Sequence, residues 1–312
     1  MEKGLTTIER ARMAQKPITA DLFSRFIAYL DAKPKTVQTY TRALRQFFSY
    51  LQAQGVTQPT RETVLEYREH LAQSRKPSTV QAYIVAVRLF FRWTEQEGLY
   101  RNVADHVKGA KLDRQHKKDY LTSGQLGSVL DSVNRDNIQG LRDYAIIALM
   151  SVAGLRTIEV SRANIEDMRA TGDFTVLYIQ GKGRDERTEF VKIPQEVETA
   201  IRAYLKARGS ATPQEPLFVS TSNNNHGQRM TTRSISGIVK ARLEAAGYSS
   251  DRLTAHSLRH TAVTLSLIGG ATIQEAQQFA RHNNISTTQI YAHNLDKAKN
   301  PCAGIVAAAI FR

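Results

Sequence analysis

The 312 residues hold one cysteine, Cys302, so no internal disulfide, thiolate metal cluster or paired redox motif can form within the chain. His-x-x-x-His and carboxylate-rich metal patterns are missing as well, and neither metal nor cofactor is expected. No apolar run approaches the ~18–20 residues that a membrane-spanning helix needs. The opening MEKGLTTIERARMAQK has no apolar stretch of the kind that drives secretion, so a cytoplasmic protein is expected. Acidic residues are few relative to basic ones. Against 29 Asp and Glu stand 43 Lys and Arg, a formal net charge of +14. A surplus of that size calls for a polyanionic partner, nucleic acid first and an anionic membrane surface second. Hydrophobic residues at 41% and charged ones at 23% are ordinary for a folded chain, and the length suits two domains.

Residues 1–20 are polar and read as an N-terminal arm. Helical periodicity begins at Asp21, with Leu22, Phe23, Phe26, Ile27 and Leu30 on one face. Lys33-Pro34 closes that helix, and a second runs from Thr36 to Gly55. The hairpin then recurs: TVQTYTRALRQFF at 36–48 matches TVQAYIVAVRLFF at 79–91 at a constant offset of 43. Two copies are too few for a solenoid, so a four-helix bundle over 21–106 is the simpler outcome. Its core would hold Phe47, Phe48, Phe90 and Phe91, with Lys35, Arg42, Arg45, Lys76, Arg88 and Arg92 outside. These cations fit a solvated face as readily as a DNA-binding one. Thr-Val-Gln repeated at two helix N-termini favours phosphate contact, because such ends present free N–H groups.

The polar, basic stretch 107–120 reads as a linker to a second domain, 121–312. There Thr122 to Gln125 forms a capping box, and Leu141 to Val152 is a helix apolar nearly all round that ends at Gly154. Phe174–Ile179 and Thr188–Ile193 are strand-like, with Lys182 at the tip between them. Helices follow near 195–207 and 231–246 and dominate from Ser257 onward. The expected fold is mainly α with a small antiparallel β-sheet. The apolar tail 302–311 needs cover from its own domain or from a neighbouring subunit.

Four of the eight histidines fall between His256 and His293, about an eighth of the chain, together with Arg259, Arg281 and Tyr291. A basic protein that breaks a phosphodiester without a metal needs a nucleophile, an acid for the leaving oxygen and fixed positive charge around phosphorus. Arg156 and Arg259 are fork-shaped cations suited to phosphate, Lys182 is a flexible ammonium, His256 and His282 are further donors, and the Tyr291 hydroxyl can form a phosphate ester. A lone tyrosine is usually packing. Tyr291 is singled out because His282 and His293 bracket it, whereas His260 reads as structural.

Arg156, Lys182, His256-Ser-Leu-Arg259, His282 and Thr288-Gln-Ile-Tyr291-Ala-His293 together resemble the tyrosine recombinases, the phage-integrase and Xer-like family. The resemblance spans nearly the whole chain and implies a helical core-DNA-binding domain followed by a mixed α/β catalytic domain. It implies Tyr291 as the nucleophile of a 3′-phosphotyrosine link, Arg156 and Arg259 as holders of the scissile phosphate, and Lys182 as acid for the 5′-oxygen. His256 and His282 would bond the phosphate and help move the tyrosine proton, with Glu159 and His293 in support. Double-stranded DNA is the implied partner, bound by a tetramer with exchange of C-terminal tails, alongside a second recombinase or an accessory DNA-bending protein. The family often shows Leu-Gly before the second histidine, where this chain has Ala280-Arg281. Two other readings stay open: a type IB topoisomerase, whose family tends to carry lysine at the position of His256, and a DNA-binding regulator without catalysis.

Overall fold

The computed structural model describes residues 18–112, 119–181, 186–299 and 301–311. The expected N-terminal arm up to residue 17, the middle of the expected linker at 113–118 and Lys182 lie outside the described residues. The chain divides into two compact units, Met1–Arg114 and Gln115–Arg312.

The described residues of the first unit form four helices: α1 (Ala20–Tyr29), α2 (Pro34–Ala53), α3 (Arg61–Ser74) and α4 (Pro77–Gln96). The duplicated segments become helices of equal length, 20 residues each, and in both the proline occupies the first turn. Proline suits that place because its fixed φ is helical and its missing N–H has no helical partner there anyway. The aromatic pairs of the repeat meet reciprocally: Phe47 packs on Phe91 at 6.0 Å between centroids and Phe48 on Phe90 at 5.5 Å. Both contacts are edge-on, the arrangement that ring quadrupoles favour. Phe26, Phe47, Phe90, Phe91 and Tyr67 are fully buried among Leu44, Val64 and Ile84.

Two expectations change in this unit. Lys35, Arg42, Arg45, Lys76 and Arg92 are exposed, but Arg88 is half-buried. The stretch expected as a linker begins inside the bundle: Val107 is buried with Val103 and Ala104 in its core, while Arg61 and Arg68 donate to the carbonyls of Asp105 and Lys108. Within it Val107, with Ala110 packed alongside, is what seats it.

The second unit begins with α5 (Ser123–Asp131), whose capping box joins Thr122 and Gln125, followed by α6 (Ile138–Val152) and α7 (Thr157–Arg162). The apolar helix α6 carries Arg142 and Asp143, both buried. Arg142 gives two bonds to one Asp143 oxygen, at 3.1 and 2.7 Å, and Arg242 gives two to the other, also at 3.1 and 2.7 Å. Each buried charge is thereby matched, the condition for keeping it in a core. Strands β1 (Met168–Thr171), β2 (Phe174–Ile179) and β3 (Glu189–Ile193) form an antiparallel sheet in that order. β1 escapes detection in the sequence because its four residues, half-exposed then exposed, show no alternation.

Helices α8 (Gln195–Arg208), α9 (Thr232–Ala245), α10 (Ala255–Ile268), α11 (Ile273–Ala280), α12 (Ile285–Lys299) and α13 (Cys302–Ile310) complete the unit. The apolar tail is the helix α13, with Ile305 at 63% and Phe311 at 83% exposure. Among the described residues no helix is long and apolar enough to cross a membrane.

Candidate active site

The site assembles where three helix ends meet: the C-terminal end of α6, the N-terminal end of α7, and the turn between α11 and α12. Gly154 follows α6 with φ +60°, and a β-carbon there would stand 3.2 Å from two ring carbons of Phe279. Glycine satisfies both constraints, since it alone takes positive φ without strain and adds no atom toward the ring. Its carbonyl then accepts from Arg259 Nη1 at 2.6 Å and from Arg281 Nη2 at 3.2 Å.

Arg156 is the N-cap of α7 and Glu159 its third residue. The Glu159 carboxylate accepts from the Arg156 backbone N–H at 2.8 Å and from its Nη1 at 2.7 Å. A carboxylate at this place also complements the positive end of the helix. The oxygen that accepts the backbone N–H, Oε2, also receives Arg281 Nη2 at 3.0 Å. Burial alone would push the Glu159 carboxyl up. The Arg281 charge and the Arg156 hydrogen bonds outweigh burial and hold it below the usual range, so it is ionised at neutral pH.

Arg259 lies on the first turns of α10 and is 1% exposed. It donates to the carbonyls of Gly154 and Ala280. Burial, with Arg156 and Arg281 close by, draws its guanidinium down to about 9, offset by Glu159 and Tyr291. It stays charged at neutral pH, and two of its five N–H donors are accounted for by these bonds. Three guanidinium groups therefore gather around one carboxylate. Such an excess of buried positive charge asks for an anion.

Tyr291 is 6% exposed on α12, packed with Val263 and Ala280. Its ring lies 5.0 Å from that of His260 and 6.2 Å from that of His282. Burial raises its phenol to about 12, with Arg259 and Arg156 pulling the other way. His282 Nδ1 sits 2.9 Å from the Thr288 hydroxyl, which fixes the ring. Burial first, then Arg259, Arg156, Arg281 and His256, bring the imidazole down to about 4, so it is neutral at pH 7. His256 is exposed at the start of α10, its ring 4.6 Å from that of buried His260.

Of the residues singled out from the sequence, Arg156, Glu159, Arg259, His282 and Tyr291 thus come together, with His256 at the margin. His293 is exposed, two residues beyond Tyr291 and so about 200° further round the helix. Lys182 lies outside the described residues; Gly181 before it accepts from Arg162 of α7 at 3.2 Å. Arg281 stands out in the sequence as one of the cations of the 256–293 cluster and as a departure from Leu-Gly, without a role. His260, which the sequence marks as structural, is buried and is a ring neighbour of both His256 and Tyr291.

Residues 119–298 match the phage integrase family, and residues 20–100 match the N-terminal SAM-like domain of phage integrases. The tyrosine recombinase XerC of Pelobacter propionicus is 33% identical over 275 residues, covering 86% of this chain and 87% of that one. The XerH site-specific recombinase, solved bound to a palindromic difH substrate in a post-cleavage complex, shares the fold at TM-score 0.69 and 19% identity, over 88% of this chain and 79% of that one. The Tn1549 transposon integrase in complex with transposon right end DNA does so at TM-score 0.69 and 18% identity, over 87% and 93%. A match across the larger unit and a relative aligned over most of both chains place this protein in the phage integrase family, as a Xer-like tyrosine recombinase.

Proposed function

We propose that this chain cleaves and rejoins double-stranded DNA at a specific site through a 3′-phosphotyrosine intermediate on Tyr291. The observation that carries the reading is a buried phenol in the field of two arginines, Arg259 and Arg156, beside a neutral imidazole, His282. A phenol held near 12 is protonated at neutral pH. It becomes a nucleophile by giving up its proton as the bond to phosphorus forms, and a neutral His282 is the form of imidazole able to accept one. Arg259 and Arg156 hold the non-bridging oxygens and gain most when charge builds on them in the transition state.

The phosphorus–O5′ bond breaks as the tyrosine ester forms, and the 5′-oxygen takes up a proton, the role assigned to Lys182. One ester replaces another and one proton is exchanged for another, so strand rejoining is the same step reversed. His256, at the exposed margin, supplies a further donor to the phosphate, and Glu159 orients Arg156. Lys35, Arg42, Arg45, Lys76 and Arg92 on the bundle are assigned to DNA phosphates, and half-buried Arg88 less so. A tetramer on DNA, closed by exchange of the exposed α13 helix between neighbours, would bring four active sites to two duplexes. The chain is assigned to the cytoplasm, where its DNA would be.

The test is covalent capture. Nicked duplexes with a randomised central sequence are incubated with the protein, and the trapped strand is sequenced and remade as a defined substrate. Wild type should form a denaturant-resistant adduct, and Tyr291→Phe should bind the same DNA without forming it. An adduct that survives the substitution assigns the wrong nucleophile. Relaxation of supercoils with no two-site product would mark topoisomerase action instead.

A further inference from the structure

We infer that Arg281 is a positioning residue for this reaction, engaging the second oxygen of Glu159 so that Arg156 keeps guanidinium donors for the phosphate. The inference rests on the phosphotyrosine reading above and adds a residue to it. Arg281 caps α11 in the left-handed conformation, φ 52° and ψ 48°. Glycine enters that region freely, whereas a β-carbon there meets the neighbouring carbonyl. A glycine would therefore make the same turn with less strain, so what the arginine adds must lie in its side chain.

That side chain is 9% exposed, although it carries a full charge. Its Nη2 reaches Glu159 Oε2 at 3.0 Å and the Gly154 carbonyl at 3.2 Å, and its Nη1 reaches the Phe279 carbonyl at 2.9 Å. With Arg156 alone, Glu159 would neutralise the one guanidinium it orients. With Arg281 on its other oxygen, the carboxylate is matched twice, and the three-arginine cluster keeps a net positive charge. The same turn holds the other two arginines by its backbone: the Ala280 carbonyl accepts from Arg259 Nη2, and the Arg281 carbonyl from Arg156 Nη2 at 3.4 Å. Strain in the backbone and a sunken charge thus converge on one residue that touches Glu159 and Arg156, next to the Ala280 carbonyl that holds Arg259.

Three variants separate the possible roles. Arg281→Gly keeps the turn and removes the side chain, Arg281→Met keeps bulk at the same strained φ without charge, and Arg281→Lys restores the charge. The readout is the single-turnover rate of adduct formation at saturating captured substrate, with the dissociation constant measured separately. The Gly and Met variants are expected to lose about tenfold or more in rate with affinity changed by no more than about twofold, while Lys recovers to within about threefold of wild type. Equal rates for Met and Lys, or a loss confined to affinity, would overturn the positioning role. Wild type forming no Tyr291-dependent adduct would instead bring down the reading of the whole site, a distinct result scored on the wild-type lane alone.

Discussion

Glu159 accepts from Arg156 at two points, the backbone N–H at 2.8 Å and the guanidinium at 2.7 Å, so one carboxylate fixes both the start of helix α7 and the side chain that projects from it. Glu159→Gln keeps the shape, removes the charge, and leaves Arg281 buried without its counter-ion. Breaking a buried pair in this way is expected to destabilise the second unit by about 3 kcal/mol. It should slow adduct formation at saturating DNA as well. Urea unfolding followed by single-turnover capture checks both; an unchanged midpoint would mean that Glu159 is not the anchor described.

Acid should loosen the site before it unfolds the rest. His282 has a folded value near 4, below the ordinary histidine value, so the unfolded chain takes up its proton first as pH falls. The stability it supplies is complete above about 6.5, the usual histidine value, and is lost on the way down to about 4. Glu159, also held down, adds a loss in the same direction at lower pH. The urea midpoint of wild type should drop between about pH 7 and about pH 5, and His282→Gln should flatten that drop. Parallel curves for the two proteins would remove His282 from the account.

Gly154→Ala should damage stability and rate together. The positive φ is expected to cost about 1–2 kcal/mol. The new methyl group also presses on Phe279, and relief of that contact moves the carbonyl that Arg259 and Arg281 share. Differential scanning calorimetry and the capture rate are the measurements. A stable variant with a normal rate would show that this carbonyl does not set the arginine geometry.

On the bundle, Lys35→Ala together with Lys76→Ala should reduce the slope of log K against log salt by about 0.9 for each phosphate that is no longer neutralised. Fluorescence anisotropy across a salt series reads the slope directly, with single-turnover cleavage at saturation expected to be unchanged. The register of the repeat pairs Lys76 with Lys33 rather than with Lys35, so Lys33→Ala is the informative third substitution. An unchanged slope in all three would return these cations to a merely solvated face.

Long amphipathic elements are legible in the sequence because burial imposes a period on them. Phe174–Ile179 is bounded to the residue, the first helix of the repeat to within two residues, and the capping box at Thr122 by its two polar ends. Strand β1 is not, since an exposed edge strand has no buried face to impose alternation. In the site, residues with diagnostic chemistry can be named from type and order. Arg281 cannot, because its role depends on a left-handed φ and on a carboxylate 122 positions away, neither of which leaves a local pattern. The half-burial of Arg88 is hidden for a related reason: its equivalent, Arg45, is exposed, and only packing distinguishes the two.

Tyr291 belongs to a small apolar cluster with Val263 and Ala280, separate from the large core that gathers α5, α6, α8 and α9. Regions held by few apolar contacts open at lower free energy than the core they adjoin. The turn that leads into the nucleophile's helix is also fastened by guanidinium–carbonyl bonds, Arg259 to Ala280 and Arg156 to Arg281, made by the same groups assigned to the phosphate. Hydrogen exchange should find α12 opening independently of α6, and slowing once an anion occupies the arginines: the substrate would be a structural fastener of the helix that attacks it.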